Sequence, residues 1–470
     1  MSRQFTSLLA VLALAGCASI PQLDAPPAMR DPASLPLGDQ AAAAHGAFPA
    51  DRWWSASGDA ALDQLIDEAL RASPDLAAAQ ARARRAMAFQ GQAKAATLPT
   101  LNIEGSAGAI RQSQNQGFPP GLIPGDLRDQ GRIGAVLDFD LDLWGRKRSA
   151  LAAATSAALA AQADLAQARL LLQAAIVSTY ADLDGLFTSR DLAAARLTNA
   201  ANELDLIKAR QARGLDNIAA VSEAEGRLAR TSAELKAVDE AISLTRNALA
   251  ALAGAGPERG QSIQRPQLGA PQGLALPADL PVNLLGRRPD LVAARLSAES
   301  AEARIGVARA NFYPDINLAA LLGFQAIGLD NLFKESSLTA NAGPALRLPL
   351  FDGGAARAGY RVARADYDEA VSLYNASLIA AIRQVADAAA TKRSLAEQIA
   401  AAESAVTAAE RQLAAVQQRH AAGLEDRRGA LSAERALFAA KATLSALNTR
   451  NHQADIALAV ALGGGFVETP

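Results

Sequence analysis

At 470 residues the chain is long enough for two or three ordinary domains, and a net charge of -2 gives no reason to expect a nucleic-acid partner. Half of it is apolar but only 4% is aromatic, with alanine filling much of the difference and 20% charged, which suits long, closely packed helices and excludes a bulky aromatic core. A single cysteine, Cys17, excludes an internal disulfide.

In chain order, Arg3 is a short basic region and residues 5–14 are apolar, with Leu8, Leu9, Val11 and Leu12. Small residues then close the stretch, so residues 1–16 form a signal peptide too short to span a bilayer. An ordinary thiol is the plain reading of Cys17. However, Leu14-Ala15-Gly16-Cys17 resembles a bacterial lipobox, in which the cysteine is acylated and becomes the new N-terminus. That resemblance, with Ala18 following, implies transport to the outer membrane. Residues 17–50 hold Pro21, Pro26, Pro27, Pro32, Pro36 and Pro49 and read as an extended, lipid-anchored tether. No later run of about 18 apolar residues appears, so any membrane crossing must use strands.

From residue 51 one architecture is used twice. Asp51-Arg52-Trp53-Trp54 leads into a helical stretch with Leu62, Leu65, Ile66, Leu70 and Leu76. Ser73-Pro74-Asp75-Leu76 recurs as Arg288-Pro289-Asp290-Leu291, and Leu98-Pro99-Thr100-Leu101 as Tyr313-Pro314-Asp315-Ile316. Arg210-Gln211-Ala212-Arg213-Gly214-Leu215-Asp216 recurs as Arg419-His420-Ala421-Ala422-Gly423-Leu424-Glu425. Three matches in one order make an internal repeat, with residues 51–253 as the first copy and 282–462 as the second. Residues 254–281, rich in Gly and Pro, link them, and 463–470 read as a C-terminal tail with Gly463-Gly464-Gly465 flexible.

Each copy carries a strand pair, at about 98–144 and 313–351. In the first copy Leu101, Ile103, Gly105, Ala107 and Ala109 oppose Asn102, Glu104 and Ser106. Next, Ile133, Ala135, Leu137, Phe139, Leu141 and Leu143 oppose Arg132, Gly134, Val136, Asp138, Asp140 and Asp142. In the second copy Ile316, Leu318, Ala320, Leu322 and Phe324 oppose Asp315, Asn317 and Gln325, and Leu338 to Leu350 alternate likewise. These runs match the roughly 9–11 residues that cross a bilayer at a tilt. On this reading Leu137 and Leu141 face lipid, and Asp138 and Asp140 face a lumen.

The rest is helix with a seven-residue apolar repeat. Val221, Leu228, Leu235, Ile242 and Leu249 keep it, as do Val371, Leu378, Val385, Ile399, Val406 and Leu413, with Lys392 the exception. Such heptads predict coiled-coil packing. Between residues 150 and 213 no proline intervenes, and Gly214 and Gly423 stand where a left-handed turn would reverse the chain. Each copy is therefore a strand hairpin followed by a long helical hairpin, a mixed α and β fold. A transmembrane sheet must close, four strands are too few, and so several chains share one barrel.

The chain resembles the TolC/OprM-like outer-membrane factors, in their NodT-type lipoprotein branch, over residues 51–466. The resemblance is carried by Trp53-Trp54, the repeated Pro-Asp-Leu elements, Asp142-Leu143-Trp144-Gly145-Arg146, Leu350-Phe351-Asp352-Gly353-Gly354 and both tip motifs. It implies a homotrimer with a twelve-stranded transmembrane β-barrel, a periplasmic α-helical coiled-coil barrel, and an equatorial segment within 254–281. It also implies a passive exit duct of a tripartite efflux pump, working with a periplasmic adaptor and an inner-membrane transporter of the RND type. Where the family reads Arg-Tyr before the tip glycine, this chain has Arg210-Gln211 and Arg419-His420, so tyrosine contacts do not carry over. Arg210, Arg213, Asp216, Arg419, Glu425 and Asp426 remain a candidate gate, against the plainer reading of solvated turn charges.

An enzyme is disfavoured. The three histidines, His45, His420 and His452, lack metal-ligand spacing, no phosphate-cradling G-x-x-x-x-G-K-[ST] loop exists, and neither cofactor nor catalytic residues are expected. The alternatives are a periplasmic coiled-coil adaptor lipoprotein, which needs no duplicated amphipathic strand pairs, and the outer-membrane duct of a type I secretion system.

Overall fold

A computed structural model describes residues 20–35, 46–113, 115, 119, 125–269, 277, 286–349 and 351–468; Cys17, the signal stretch and Leu350 lie outside them. After α1 (Ala60–Ala72), one order of elements runs twice. The first round is α2 (Pro74–Ala95), β1 (Thr100–Ile110), β2 (Arg128–Asp140), α3 (Arg146–Gln211) and α4 (Ile218–Leu252). After the short α5 (Pro257–Gln261), the second is α6 (Pro289–Ala310), β3 (Asp315–Ile327), β4 (Leu338–Arg347), α7 (Ala355–Ala421) and α8 (Arg427–Ala461). The starts of β1 and β3 differ by 315 - 100 = 215, and those of α3 and α7 by 355 - 146 = 209. The difference between the copies therefore arises inside the strand pairs.

The chain divides into two compact units. The first comprises the described residues within Met1–Ala28, Arg84–Ala161 and Arg295–Leu373; the second, those within Met29–Ala83, Gln162–Ala294 and Tyr374–Pro470. The first unit holds one antiparallel sheet in the order β1-β2-β3-β4. β1 and β4 are its edges, each paired on one side only.

Two strands end earlier than their alternation suggests. β2 stops at Asp140, because the chain turns away at Asp142 (φ 45). The Asp142 carboxylate accepts the N–H groups of Lys147 and Arg148 at 2.8 and 2.9 Å and so caps the start of α3. Asp140 is consequently not a lumen residue. It is buried, accepts Asp142 N–H at 2.8 Å, and pairs with Arg146 at 2.8 Å and Lys147 at 3.5 Å. Leu141 follows the strand rather than continuing its apolar face. β4 likewise ends at Arg347, and Asp352 caps α7 through Gly354 and Ala356 N–H at 2.9 and 2.8 Å. Asp142 and Asp352 thus do the same work in the two copies.

In the second unit, Pro74 and Pro289 open α2 and α6 at the position where a missing N–H costs nothing. Trp54, Leu62, Leu65 and Ile66 bury against Ile176 and Leu183 of α3 and Leu249 of α4. Each such side chain contributes about 1.5–3 kcal/mol. Trp54 donates to Asp63 at 2.9 Å, beside Ser55 at 2.8 Å. A second core joins Leu291 of α6 to Leu378 and Val385 of α7 and Leu458 of α8. The heptad positions Val221, Ile242, Leu249, Val371, Leu378 and Val385 are all buried. Lys392, the polar break in that series, reaches Asp455 and Asn451, each at 2.7 Å. A stretch of α3 is apolar enough, on length and composition alone, to cross a bilayer. That stretch belongs to a 66-residue helix whose Ile176, Tyr180 and Leu183 sit in the first of these cores. Gly463-Gly464-Gly465 is a packed turn and not a flexible tail: Gly463 and Gly464 are buried, against the Arg287 carbonyl and the Leu170 side chain.

Candidate functional site

Residues opposed across an antiparallel ladder share a face. The register therefore sorts every strand side chain. One face carries the rows Leu101–Leu137–Ala320–Ala342, Ile103–Ala135–Leu322–Ala340 and Gly105–Ile133–Phe324–Leu338. It holds no charged side chain in those rows, yet Ile103 is 81% and Leu322 59% exposed. The other face carries Thr100–Asp138–Ala319–Gly343, Asn102–Val136–Leu321–Asn341, Glu104–Gly134–Gly323–Thr339 and Ser106–Arg132–Gln325, polar apart from Val136, Leu321 and small residues. An apolar face this exposed marks a surface that meets lipid or another protein chain rather than water. At the glycine pair Gly134–Gly323 the two strands approach closely, since a Cβ at Gly323 would strike Gly134 Cα and the Ile133 carbonyl.

Beside the sheet, Trp144 stacks on Tyr313 with ring centroids 4.5 Å apart and donates to the Pro314 carbonyl at 2.8 Å. Arg146 joins Asp140 to Asp315, at 2.8 and 3.5 Å. This ties the corner where the first copy leaves the sheet to the start of β3, where the second copy enters it.

The helical tips lie in the second unit. α3 ends in a left-handed residue, Gly214 (φ 73), with Leu215 N–H on the Arg210 carbonyl and Gly214 N–H on the Gln211 carbonyl, both at 2.9 Å. Gly423 (φ 74) ends α7 identically, through Leu424 to Arg419 and Gly423 to His420. Asn217 and Asp426 then cap the returning helices. Of the six charges singled out, three converge: Arg210 bonds Asp216 at 2.7 Å and lies 3.6 Å from Asp426. The Asp216 hydrogen bond holds the Arg210 guanidinium above its ordinary pKa, so it is charged throughout. Arg419 and Glu425 form a separate pair at 3.7 Å, with His420 Nδ1 on the Glu425 carbonyl at 2.9 Å. Arg213 is exposed and pairs with no acid among the described residues.

Two participants escaped sequence reasoning. Arg428 reaches Asp216 at 3.9 Å, completing a cluster that joins one tip to the other. Further along α3, Glu203 is buried (side chain 8% exposed) and meets Arg435 of α8 at 2.6 Å and Arg227 of α4 at 3.5 Å. One helical turn away, Asn199 donates to Glu434 at 2.8 Å and the Leu431 carbonyl at 3.1 Å. Apart from Arg227, these partners lie over 200 residues from one another, and the sequence signal is a carboxylate among apolar helix positions.

A known family matches over most of the chain. Its description is Outer membrane efflux protein, and it covers residues 65–255 and 280–464. The chain belongs to the outer membrane efflux protein family. It is similar to the multidrug resistance outer membrane protein MdtP of Escherichia coli K12, 31% identical over 97% of this chain and 95% of that one. The fusaric acid resistance protein FusA of Burkholderia cepacia is 36% identical over 77% of this chain and 69% of its own length. Among solved structures, the outer membrane protein VceC of Vibrio cholerae superposes with a TM-score of 0.81 at 38% identity, covering 89% of this chain and all of VceC. In an outer membrane efflux protein, the bare apolar face of the sheet meets lipid and the polar face lines the channel. The chain is thus an efflux channel of the outer membrane, mixed α and β, with strands in the bilayer.

Proposed function

We propose that three copies of this chain form the passive exit duct of a tripartite efflux pump. The observation behind it is the four-stranded sheet with one bare apolar face and two unpaired edges. Backbone groups left unpaired in lipid cost several kcal/mol each, so β1 of one copy must pair with β4 of the next. Three copies give twelve strands. Each copy brings two helical hairpin tips, six in the assembly, and the tip cluster around Arg210, Asp216, Asp426 and Arg428 acts as a latch. Leu215, Ile218 and Leu424, all exposed at the tips, offer an apolar docking surface for a periplasmic adaptor, itself coupled to an inner-membrane transporter of the RND type. The relatives' names concern resistance to fusaric acid and to multiple drugs, and small toxic organic molecules are the cargo class adopted here.

Cys17 is the lipid anchor on this reading. Arg364, nine residues into α7, donates to the Asp24 carbonyl at 2.9 Å. Cys17 is seven residue steps before Asp24, a length of chain that spans at most about 23 Å. That maximum exceeds the roughly 14 Å of helix between Arg364 and the start of α7, so the length of chain suffices for an acylated Cys17 to anchor at the level where the strands begin. Cys17→Ser removes fatty-acid labelling, while the barrel keeps the protein in the membrane and a mass measurement in mild detergent still returns a trimer. Release of Cys17→Ser into the soluble periplasm, or a monomer in detergent, would contradict the proposal.

A further inference from the structure

We infer that the connection between β3 and β4 is a membrane foot: Leu329, Leu332 and Phe333 rest on the lipid-facing side of the sheet at its outer end and seat in the acyl layer of the surrounding lipid. This rests on the channel reading, which puts the apolar face in the bilayer.

The connection, residues 328–337, is a fixed structure. Gly328 N–H bonds the Asp129 carbonyl at 2.7 Å and Leu329 N–H the Asp129 carboxylate at 2.8 Å. Ser337 Oγ donates to the Asn331 carbonyl at 2.8 Å, drawing together its two short helical turns. Two contacts then show which side of the sheet it occupies. A Cβ at Gly131 would lie 2.7 Å from Leu329 Cδ2 and 3.0 Å from Leu332 Cδ2. Gly131 belongs to the row Ala107–Gly131–Ala326, the next row of the apolar face beyond Gly105–Ile133–Phe324. The Phe333 ring stands 5.9 Å from the Phe324 ring, edge to face, and Phe324 points from that same face.

The chemistry accounts for the arrangement. That row alone offers the bilayer two methyl groups and a glycine, too little to shield the backbone from lipid. The two leucines fill it, and Gly131 is small because they need the space. Phe333 remains 72% exposed, and the surface it extends is continuous with Leu322 and Leu338. Lipid is the occupant that continuity requires. Asp330, Lys334 and Glu335 flank the foot, with Lys334 bonded to Asn331, as a polar border where the acyl layer meets headgroups. Because its apolar side chains are committed outward, this connection does not fold across the polar face and is not a cover over the channel's exit.

The test uses full-length protein with Cys17→Ser, spin-labelled at one introduced cysteine and reconstituted in palmitoyl-oleoyl phosphatidylcholine vesicles. Collisions with oxygen, which concentrates in lipid, are compared with collisions with a water-soluble nickel chelate. At Phe333→Cys oxygen collisions exceed nickel collisions several-fold, as they do at Leu322→Cys, and the order reverses at Asp330→Cys. Adding Gly131→Leu displaces the leucines and makes position 333 accessible to nickel while 322 stays in lipid. Position 333 as nickel-accessible as 330, with 322 in lipid, would overturn the foot alone. Nickel access at 322 would overturn the channel reading and the foot with it.

Discussion

Leu322→Arg and Leu321→Arg place one charge at neighbouring positions of one strand, facing opposite ways. Leu322 lies in a middle row of the apolar face with Ile103, Ala135 and Ala340, and Leu321 opposes Val136 and Asn341 on the polar face. An arginine facing lipid near the bilayer midplane costs about 2–4 kcal/mol. At 1.4 kcal/mol per tenfold, that shifts the folding equilibrium of each chain by roughly 30- to 700-fold. A barrel of three chains carries the charge three times and loses about 6–12 kcal/mol. At Leu321 the guanidinium reaches channel water, where surface-like substitutions stay within about 0.5 kcal/mol. Urea titration of vesicle-embedded protein, read by its heat-sensitive migration on a gel, measures both. Equal losses at the two positions, or a larger one at Leu321→Arg, would refute the assignment of faces.

Other consequences follow from the second unit. Asp216→Ala with Asp426→Ala strips Arg210 of both carboxylates and should raise the conductance of the purified channel in planar bilayers; Glu425→Ala, whose partner is Arg419, should raise it less. An unchanged double variant that still assembles would remove these acids from the latch. Glu203→Ala leaves Arg435 and Arg227 facing a buried site without their carboxylate, and the pair's partial exposure places the loss at about 1–3 kcal/mol in chemical denaturation. Burial, and then the charge of Lys392, holds His452 below its ordinary pKa of 6.5. Its neutral form therefore contributes stability that is present above pH 6.5 and lost as pH falls toward the lowered value, so His452→Gln should flatten the decline in melting temperature on that side.

Much of this architecture was legible because the surroundings impose strict periods. Lipid on one side and water on the other force the alternation seen in Leu101 to Ala109 and in Ile133 to Phe139, and helix packing forces the spacing of Val371, Leu378 and Val385. The tip turns were legible because a residue without a Cβ most readily takes the left-handed positions of Gly214 and Gly423. Strand ends were not, since alternation runs on through Leu141 and Leu143 while the capping carboxylate of Asp142 turns the chain into α3. Lys392 broke the heptads without visible reason because Asp455, its partner, lies 63 residues later on another helix. The foot was invisible for the same cause: nothing in Leu329 or Phe333 says which side of a sheet a connection will cover.

The central claim is that β1 of one chain closes on β4 of the next. Disulfide cross-linking tests it in whole cells: in a Cys17→Ser background, Ile103→Cys on β1 is combined in turn with Leu338→Cys, Ala340→Cys and Ala342→Cys on β4. The account predicts that at least one combination yields a ladder of one, two and three chains on a non-reducing gel, ending at three and collapsing to one on reduction. Monomers from every combination, with the single chain still in the outer membrane, would contradict it.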